Sequence, residues 1–351
     1  MRNIIRPALK RTCLNARRWL LRLTGPRDDS ALFTKERGHI RRILLIRLDR
    51  LGDMVLSTPF FASLKAAYPR AEISLLARPF AAQLIKPENG VDRIVVCAGG
   101  WAEAAQLARL QTPDLAVDMH YDHILGPALA CAWSGAKWRA GFAIAGREAF
   151  FNLHAPVGKP RHFLDEMADL LRTLRAEPTV TKPFLAAPHP CEAVDELNRS
   201  SPKDSSARLC VIHPGGYYPE QRWPAERFVA LARRLQRKFG TAIVVLGGLT
   251  ESRLIESIAR ACDAKTFASA DAGQTAALLA RADLFIGNNS GPLHMACALG
   301  VASVSTMGPT DPRRFWPVGE KAVVVQTEDF DVRRITLESM SAAAERALAA
   351  P

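Results

Sequence analysis

The chain has 351 residues, 48% of them hydrophobic and 23% charged, which leaves room for two domains with real cores and excludes extensive disorder. Its seven cysteines, at positions 13, 97, 131, 191, 210, 262 and 297, are odd in number and widely spaced without a C-x-x-C pair. This argues against a disulfide framework or a zinc site and for reduced thiols in a cytosolic compartment. The net charge is +12, but aromatic residues make up only 7% of the chain and no nucleic-acid module is recognisable, so no nucleic-acid partner is expected.

Seven of the excess charges fall in residues 1–25, which carry Arg2, Arg6, Lys10, Arg11, Arg17, Arg18 and Arg22 and no acid. Wound at about 100° per residue, this segment puts Ile5, Ala8, Leu9, Cys13, Trp19, Leu20 and Leu23 on one face and the basic residues on the other. That is the pattern of a basic amphipathic helix lying on an anionic membrane surface. A solvated basic extension is the rival reading. A secretory signal fits less well, because arginines interrupt the apolar residues and no small-residue cleavage site follows. No run of about 18 apolar residues occurs, so no transmembrane span is expected.

Residues 26–38 are polar and turn-rich and read as a linker. An N-terminal α/β domain is expected over 39–190. It opens with the continuous apolar run Ile43 to Ile46, the signature of a strand covered on both faces in a parallel sheet. A helical stretch follows to Tyr68, with a break expected at Pro59. Strands are then expected at 72–77, 92–97, 115–119 and 138–143, and helices at 101–110, 124–134 and 162–175. The stretch 178–207 holds five prolines, and its later part, 191–207, reads as the interdomain linker. A second series over 208–328 repeats the pattern, with strands at 209–213, 242–247, 264–268, 283–287, 301–306 and 322–326. Its helices are expected at 225–239, 251–262, 274–281 and 292–299. A last helix, capped by Thr336, occupies the end of the segment 329–351. This alternation implies two doubly wound, Rossmann-like domains facing a central cleft, with ligands beyond the carboxyl ends of the strands.

The loops at those ends carry the candidate chemistry. After the first strand, Leu48 to Asp53 holds one glycine where a dinucleotide fingerprint needs three, which disfavours a nicotinamide dehydrogenase. Asp53 suits either a plain helix cap or a general base projecting into a cleft. In the second domain, Gly215 and Gly216 follow the first strand, Gln221 and Arg222 open the next helix, and Glu251 follows the second strand. Asn289, Ser290, Gly291 and Pro292 form a strand–turn–helix junction with His294 in the first turn. Its backbone N–H groups and helix dipole make it ready for phosphate. Together these loops compose a nucleotide site in which Glu251 can accept from ribose hydroxyls.

Asp118, His120, Asp122 and His123 cluster at a strand end in the first domain, where acceptor contacts and ordinary loop hydrogen bonds are both open. Arg47, Arg50 and Arg78 lie near the same edge and can meet an anionic acceptor, or can be solvated surface residues. The only D-x-D, Asp329-Phe330-Asp331, reads as a solvated acidic turn, so no essential metal is expected.

Four segments in order, Ile-Arg-Leu-Asp-Arg-Leu-Gly-Asp-Met-Val-Leu-Ser-Thr-Pro (46–59), Pro-Gly-Gly…Arg-Trp-Pro-Ala-Glu-Arg-Phe (214–228), Leu-Gly-Gly (246–248) and Asn-Ser-Gly-Pro-Leu-His…Ala-Leu-Gly-Val…Gly-Pro-Thr-Asp-Pro (289–312), resemble the heptosyltransferases of glycosyltransferase family 9. The resemblance spans roughly residues 40–340. It implies a GT-B fold, a nucleotide-sugar donor in the C-terminal domain and a lipopolysaccharide inner-core acceptor in the N-terminal domain. It further implies a final helix that crosses back between the domains. By the same resemblance Asp53 is the base of an inverting transfer, Glu251 meets the ribose, and Asn289, Ser290, Gly291 and His294 surround the phosphates. Gln221 stands where the family often has lysine, and Asn289 where it usually has aspartate.

The implied activity is heptose transfer from ADP-heptose without a further cofactor, with Arg50 and His120 as acceptor contacts. The implied location is cytoplasmic, peripheral on the inner membrane. A same-fold transferase using another nucleotide sugar and glycan acceptor, or a non-catalytic nucleotide-sugar-binding protein, is the alternative.

Overall fold

The structure is a computed structural model that describes residues 28–188, 190–199, 208–309 and 312–349, with Leu14 and Pro26 besides. The expected amphipathic helix over 1–25 lies outside the described residues, Leu14 apart. The chain divides into two compact units, Met1–Asp49 with Ser57–Thr181, and Arg50–Leu56 with Lys182–Pro351.

The first unit is built on a six-stranded sheet in the order β3-β2-β1-β4-β5-β6. Its strands are β1 (Arg42–Arg47), β2 (Glu72–Ala77), β3 (Arg93–Val96), β4 (Leu115–Asp118), β5 (Trp138–Phe142) and β6 (Leu153–Ala155), and every pairing is parallel. The apolar run of β1 is buried from Ile43 to Ile46 because helices cover both faces. The helices are α1 (Ser30–Glu36), α2 (Leu51–Leu56), α3 (Thr58–Ala67), α4 (Pro79–Ala82), α5 (Trp101–Leu110), α6 (Gly126–Trp133) and α7 (Phe163–Thr173), of which α2 belongs to the second unit. The break between α2 and α3 falls at Ser57, with Pro59 in the first turn of α3 where its missing N–H costs nothing. Three-residue β6 went unanticipated, because so short a run among aromatics has no readable alternation.

The second unit repeats the plan. Its sheet runs β12-β11-β10-β7-β8-β9, all parallel, from β7 (Leu209–His213), β8 (Ala242–Gly247), β9 (Lys265–Ala268), β10 (Leu284–Gly287), β11 (Ser303–Thr306) and β12 (Ala322–Val325). Its further helices are α8 (Glu192–Arg199), α9 (Ala225–Phe239), α10 (Ser252–Ala261), α11 (Ala272–Leu279), α12 (Gly291–Ala298) and α13 (Leu337–Ala349). The core gathers Trp223, Phe228, Leu231 and Leu235 with the inner faces of β7, β8 and β10.

Three boundaries differ from expectation. The division falls at Thr181 rather than after residue 190. The expected linker 191–207 holds a helix, α8, because Val194 buries itself completely and Asp195 pairs with Arg281 at 2.5 Å, which ties the segment to the second unit. The expected linker 26–38 likewise holds a helix, α1, because Phe33 is fully buried against Trp138. In the second unit, Met340, Ala343, Ala344 and Leu348 of α13 join the core, and Glu345 binds Arg234 and Lys238 of α9.

Buried charge organises the loop ends of the first sheet. Arg147 and Asp118 are both fully buried and ion-paired, and Arg147 also donates to the carbonyls of His120 (2.8 Å) and Asp122 (2.6 Å). The His120 ring bridges Asp118 Oδ1 (2.8 Å at Nδ1) and the Leu48 N–H (3.1 Å at Nε2). His120 therefore has both ring nitrogens engaged and only 2% exposure, which corrects its expected role as an acceptor contact. Arg47 is corrected likewise: it is buried against the Phe163 ring and donates to Ser57 Oγ and the Met119 carbonyl. Arg78 donates to the carbonyls of Leu48, Cys97 and Gly99.

Burial alone would raise the pKa of Asp118, but the Arg147 guanidinium and the hydrogen bond from His120 outweigh it and hold the carboxyl at about 2. A folded-state pKa below the unfolded value adds stability that is present above the unfolded pKa of about 3.9 and is lost as pH falls towards 2. Asp118→Asn is thus expected to remove roughly 2 kcal/mol of acid-dependent stability, read as a flatter fall of the urea midpoint between about pH 4 and pH 2. Arg147→Met, which strands the buried carboxylate, is expected to cost about 3–5 kcal/mol at pH 7 in the same measurement.

Candidate active site

The second unit contains a cavity of about 760 Å³ at the carboxyl ends of its strands. Its framework is Asn288, a fully buried side chain just past β10. The Asn288 Oδ1 accepts from the Trp223 N–H and Thr306 Oγ1, both at 2.9 Å, and its Nδ2 donates to the carbonyls of Pro214 and Gly215, also both at 2.9 Å. One amide thus fixes the loop after β7, the entry to α9 and the end of β11 around the start of α12.

On that framework Ser290 occupies the N-cap of α12, with Gly291 and Pro292 in its first turn. The Ser290 hydroxyl meets His213 Nδ1 at 3.2 Å, and His213 Nε2 lies 3.5 Å from Glu251 Oε2. Glu251 also accepts from the Gly248 N–H at 3.0 Å. Burial would raise the Glu251 pKa, but the His213 contact and the amide N–H groups of Gly248 and Gly216 prevail and bring it down to about 2. Glu251 is therefore a carboxylate at any working pH. Gly215 lies directly against it: an added Cβ would sit 2.0 Å from Glu251 Oε1 and displace the carboxylate. Gly215 thus makes room for the carboxylate and does not itself line the cavity.

Arg222 and Gln221 line the next wall, and Arg222 is anchored by two hydrogen bonds to the Gly216 carbonyl at 2.9 and 2.6 Å. Asn289 directs its amide Nδ2 to Met307 Sδ at 3.2 Å. His294 is 4% exposed and lines the floor within the first turn of α12.

The segment Arg50–Leu56, assigned to this unit, closes the cavity. It approaches α12 closely: an added Cβ on Gly52 would lie 3.1 Å from the His294 ring, and one on Gly291 would lie 3.1 Å from Leu51. Glycines at both positions let the two backbones come together. Asp53, in the first turn of α2, faces the cavity at 5% exposure and accepts from Arg50 Nε at 3.1 Å. The Arg50 guanidinium lies 5.8 Å from the ring centres of both Tyr217 and Phe315.

Of the residues singled out in the sequence, Asp53, Arg50, Gly216, Gln221, Arg222, Glu251, Asn289, Ser290, Gly291, Pro292 and His294 line one cavity. His120 does not. Tyr217, Phe315 and Arg253 were missed as lining residues, since they lie in loops with no motif to mark them. Three arginines and a helix N-terminus against two carboxylates make the wall suited to a polyanion. Asp329 and Asp331 meet Arg334 and Arg333 in an exposed turn, away from this cavity.

Comparison with known proteins agrees with this geometry. The family model of glycosyltransferase family 9 (heptosyltransferase) matches residues 114–336. The chain is 25% identical over 315 residues to the lipooligosaccharide heptosyltransferase 2 of Haemophilus ducreyi, covering 82% of this chain and 89% of the relative. It is 25% identical over 288 residues to the lipopolysaccharide heptosyltransferase 3 of Escherichia coli, covering 76% and 81%. Among solved structures, a glycosyl transferase family 9 protein from Veillonella parvula superposes with a TM-score of 0.76 at 24% identity, over 88% of this chain and 97% of that one. The E. coli ADP-heptose lipopolysaccharide heptosyltransferase II follows at 0.75 and 22%, over 88% and 98%. The two parallel six-stranded sheets are those of a GT-B fold. With the family model covering more than half its length, this chain is a glycosyltransferase and belongs to glycosyltransferase family 9, the heptosyltransferase family.

Proposed function

We propose that this enzyme transfers a heptose from ADP-heptose to the inner core of lipopolysaccharide with inversion at the anomeric carbon, using Asp53 as general base. The observation that carries the reading is that Asp53, Glu251 and the N-terminus of α12 line a single cavity. The relatives named as lipopolysaccharide and lipooligosaccharide heptosyltransferases supply the sugar and acceptor class.

Each part of the chemistry has a residue suited to it. Glu251, ionised and half-buried beside His213, accepts from the ribose hydroxyls. The N–H groups opening α12, the Ser290 hydroxyl and Arg222 receive the diphosphate, with Gln221, Asn289 and His294 on the surrounding wall. An acceptor hydroxyl attacks the anomeric carbon from the face opposite the diphosphate. Its oxygen forms the new glycosidic bond, Asp53 takes its proton, and the bond to the diphosphate breaks. The negative charge that gathers on the leaving group meets preorganised donors and Arg222, which is where electrostatic stabilisation acts. Arg50 orients the Asp53 carboxylate and lies where an anionic acceptor would approach. The basic segment 1–25 would hold the enzyme at the cytoplasmic face of the inner membrane, where its lipid acceptor is made.

Asp53→Asn is expected to lower kcat for acceptor-dependent ADP release by about 10²–10⁴-fold while ADP affinity changes little. A variant that keeps native turnover would remove Asp53 from the mechanism. Glu251→Gln is expected to weaken ADP binding by about tenfold to a hundredfold in calorimetry, since a charged hydrogen-bond acceptor is lost. Unchanged ADP affinity would place the ribose elsewhere. Binding of another nucleotide sugar in preference to ADP-heptose would point to the exchanges at Gln221 and Asn289 as the source of donor choice.

A further inference from the structure

In the first unit, α6 has the sequence Gly-Pro-Ala-Leu-Ala-Cys-Ala-Trp, with no charged or hydrogen-bonding side chain except the terminal indole and a buried thiol. A helix apolar on all sides is normally wrapped by protein or lipid. On its inner side α6 is wrapped, because Ala128, Ala130 and Cys131 are fully buried. On its outer side Leu129 (38% exposed) and Trp133 (64%) lie one turn apart and face out, and Ile124 (45%) precedes them.

Helix α5 lies alongside. An atom added to Gly126 would strike the Trp101 ring, and one added to Gly135 would lie 3.6 Å from Arg109, so the two helices run start beside start and end beside end. To the same surface α5 contributes Leu110, 67% exposed. None of the exposed positions of α5 or α6 is a carboxylate. The half-buried Glu103 turns back to accept the Gly99 N–H.

Two observations select what covers this face. Arg42, Arg109 and Lys137 line a cavity of about 1000 Å³ beside the carboxyl ends of α5 and α6, where Asp114 is taken up by the N–H groups of Arg41 and Arg42, and Glu36 by Lys137. Exposed tryptophan and leucine edged with arginine and lysine is the composition of a surface that lies in a lipid headgroup boundary. The chain also enters the unit at this end: Phe33 packs on Trp138 with ring centres 5.2 Å apart, Glu36 pairs with Lys137, and the Asp29 N–H meets the Asn152 carbonyl at 3.0 Å. The segment 1–25 that precedes it in the chain carries seven basic residues and no acid.

We propose that the outer face of α5 and α6 is the surface by which the first unit seats on an anionic phospholipid bilayer. Leu110, Leu129 and Trp133 enter the headgroup boundary, and Arg109 meets lipid phosphates. A single weak membrane signal gives marginal binding and two give stable anchoring. The face is the second signal beside the basic segment. The inference rests on the proposed function only in that the acceptor is a lipid.

The test is flotation of the full chain with vesicles of phosphatidylethanolamine and phosphatidylglycerol, native against Leu129→Glu/Trp133→Glu, with ADP binding and sedimentation velocity read on the same samples. The double variant is expected to lose at least about tenfold in vesicle partitioning while ADP binding is kept. Trp133→Phe should still float but lose part of the fluorescence quenching by brominated lipid that the native protein shows. Equal flotation of native and double variant would overturn the proposal and leave segment 1–25 as the sole anchor. A native dimer that the double variant converts to monomer would overturn it in favour of self-association. Loss of ADP binding in the native protein would count against the proposed function and leave this face untouched. Should the double variant misfold, the Trp133→Phe quenching still decides, and quenching equal to native would overturn the proposal.

Discussion

The candidate site depends on one side-chain amide. Asn288 is fully buried and uses both lone pairs of its oxygen and both hydrogens of its nitrogen, on partners at the two ends of the β7–α9 connection and at the last residue of β11. A buried polar group stabilises only when its hydrogen-bonding capacity is met, and leaving a part unmet costs about 1–3 kcal/mol. The loops after β7 and before α9 and the end of β11 are thus held to a single mutual arrangement. Glu251, Ser290 and Arg222 inherit their positions from that arrangement. A catalytic wall made of loops needs such a fastening, because loops carry few packing constraints of their own.

Most of the architecture was legible because parallel strands buried on both faces are written as unbroken apolar runs, and Gly or Pro punctuates the ends. The helix Ala225–Phe239, closed by Gly240 in the left-handed region, could be read to the residue. What was not legible was pairing at a distance. His120 lies just past β4 and His213 ends β7, each with a carboxylate in reach, and nothing local distinguishes them. The first is sealed by Asp118, Leu48 and the remote Arg147, while the second opens on a cavity. Arg47 and Arg50 differ in the same way: three residues apart, one is spent inside the first unit and the other faces Asp53. Helix α8 escaped notice because prolines and serines on either side of it read as linker, although Val194 had the apolar character to bury.

The two units share a plan but differ in how they use charge. In the first, arginines turn inward and are consumed by carbonyls and by Asp118, which fixes the carboxyl ends of the strands as a packed surface. In the second, arginines are anchored at one side and leave the cavity wall positive, while Glu251 keeps its charge through His213 and two backbone amides. The same sheet topology thus yields one face built for shape and one built for recognition of an anion, through the placement of a handful of side chains and glycines.

The assignment of Arg50–Leu56 to the second unit, with both flanks in the first, has a consequence for the birth of the protein. The segment leaves the ribosome early, directly after β1, whereas the helix it packs on, Gly291–Ala298, is among the last elements made. Domains fold largely as they emerge, and contacts between distant parts of the chain close late. The first sheet can therefore be complete while its looped-out heptapeptide still has no partner. Asp53 gains its surroundings only when translation is nearly finished, and the two units cannot be inherited or shuffled as separate cassettes without parting this carboxylate from its cavity.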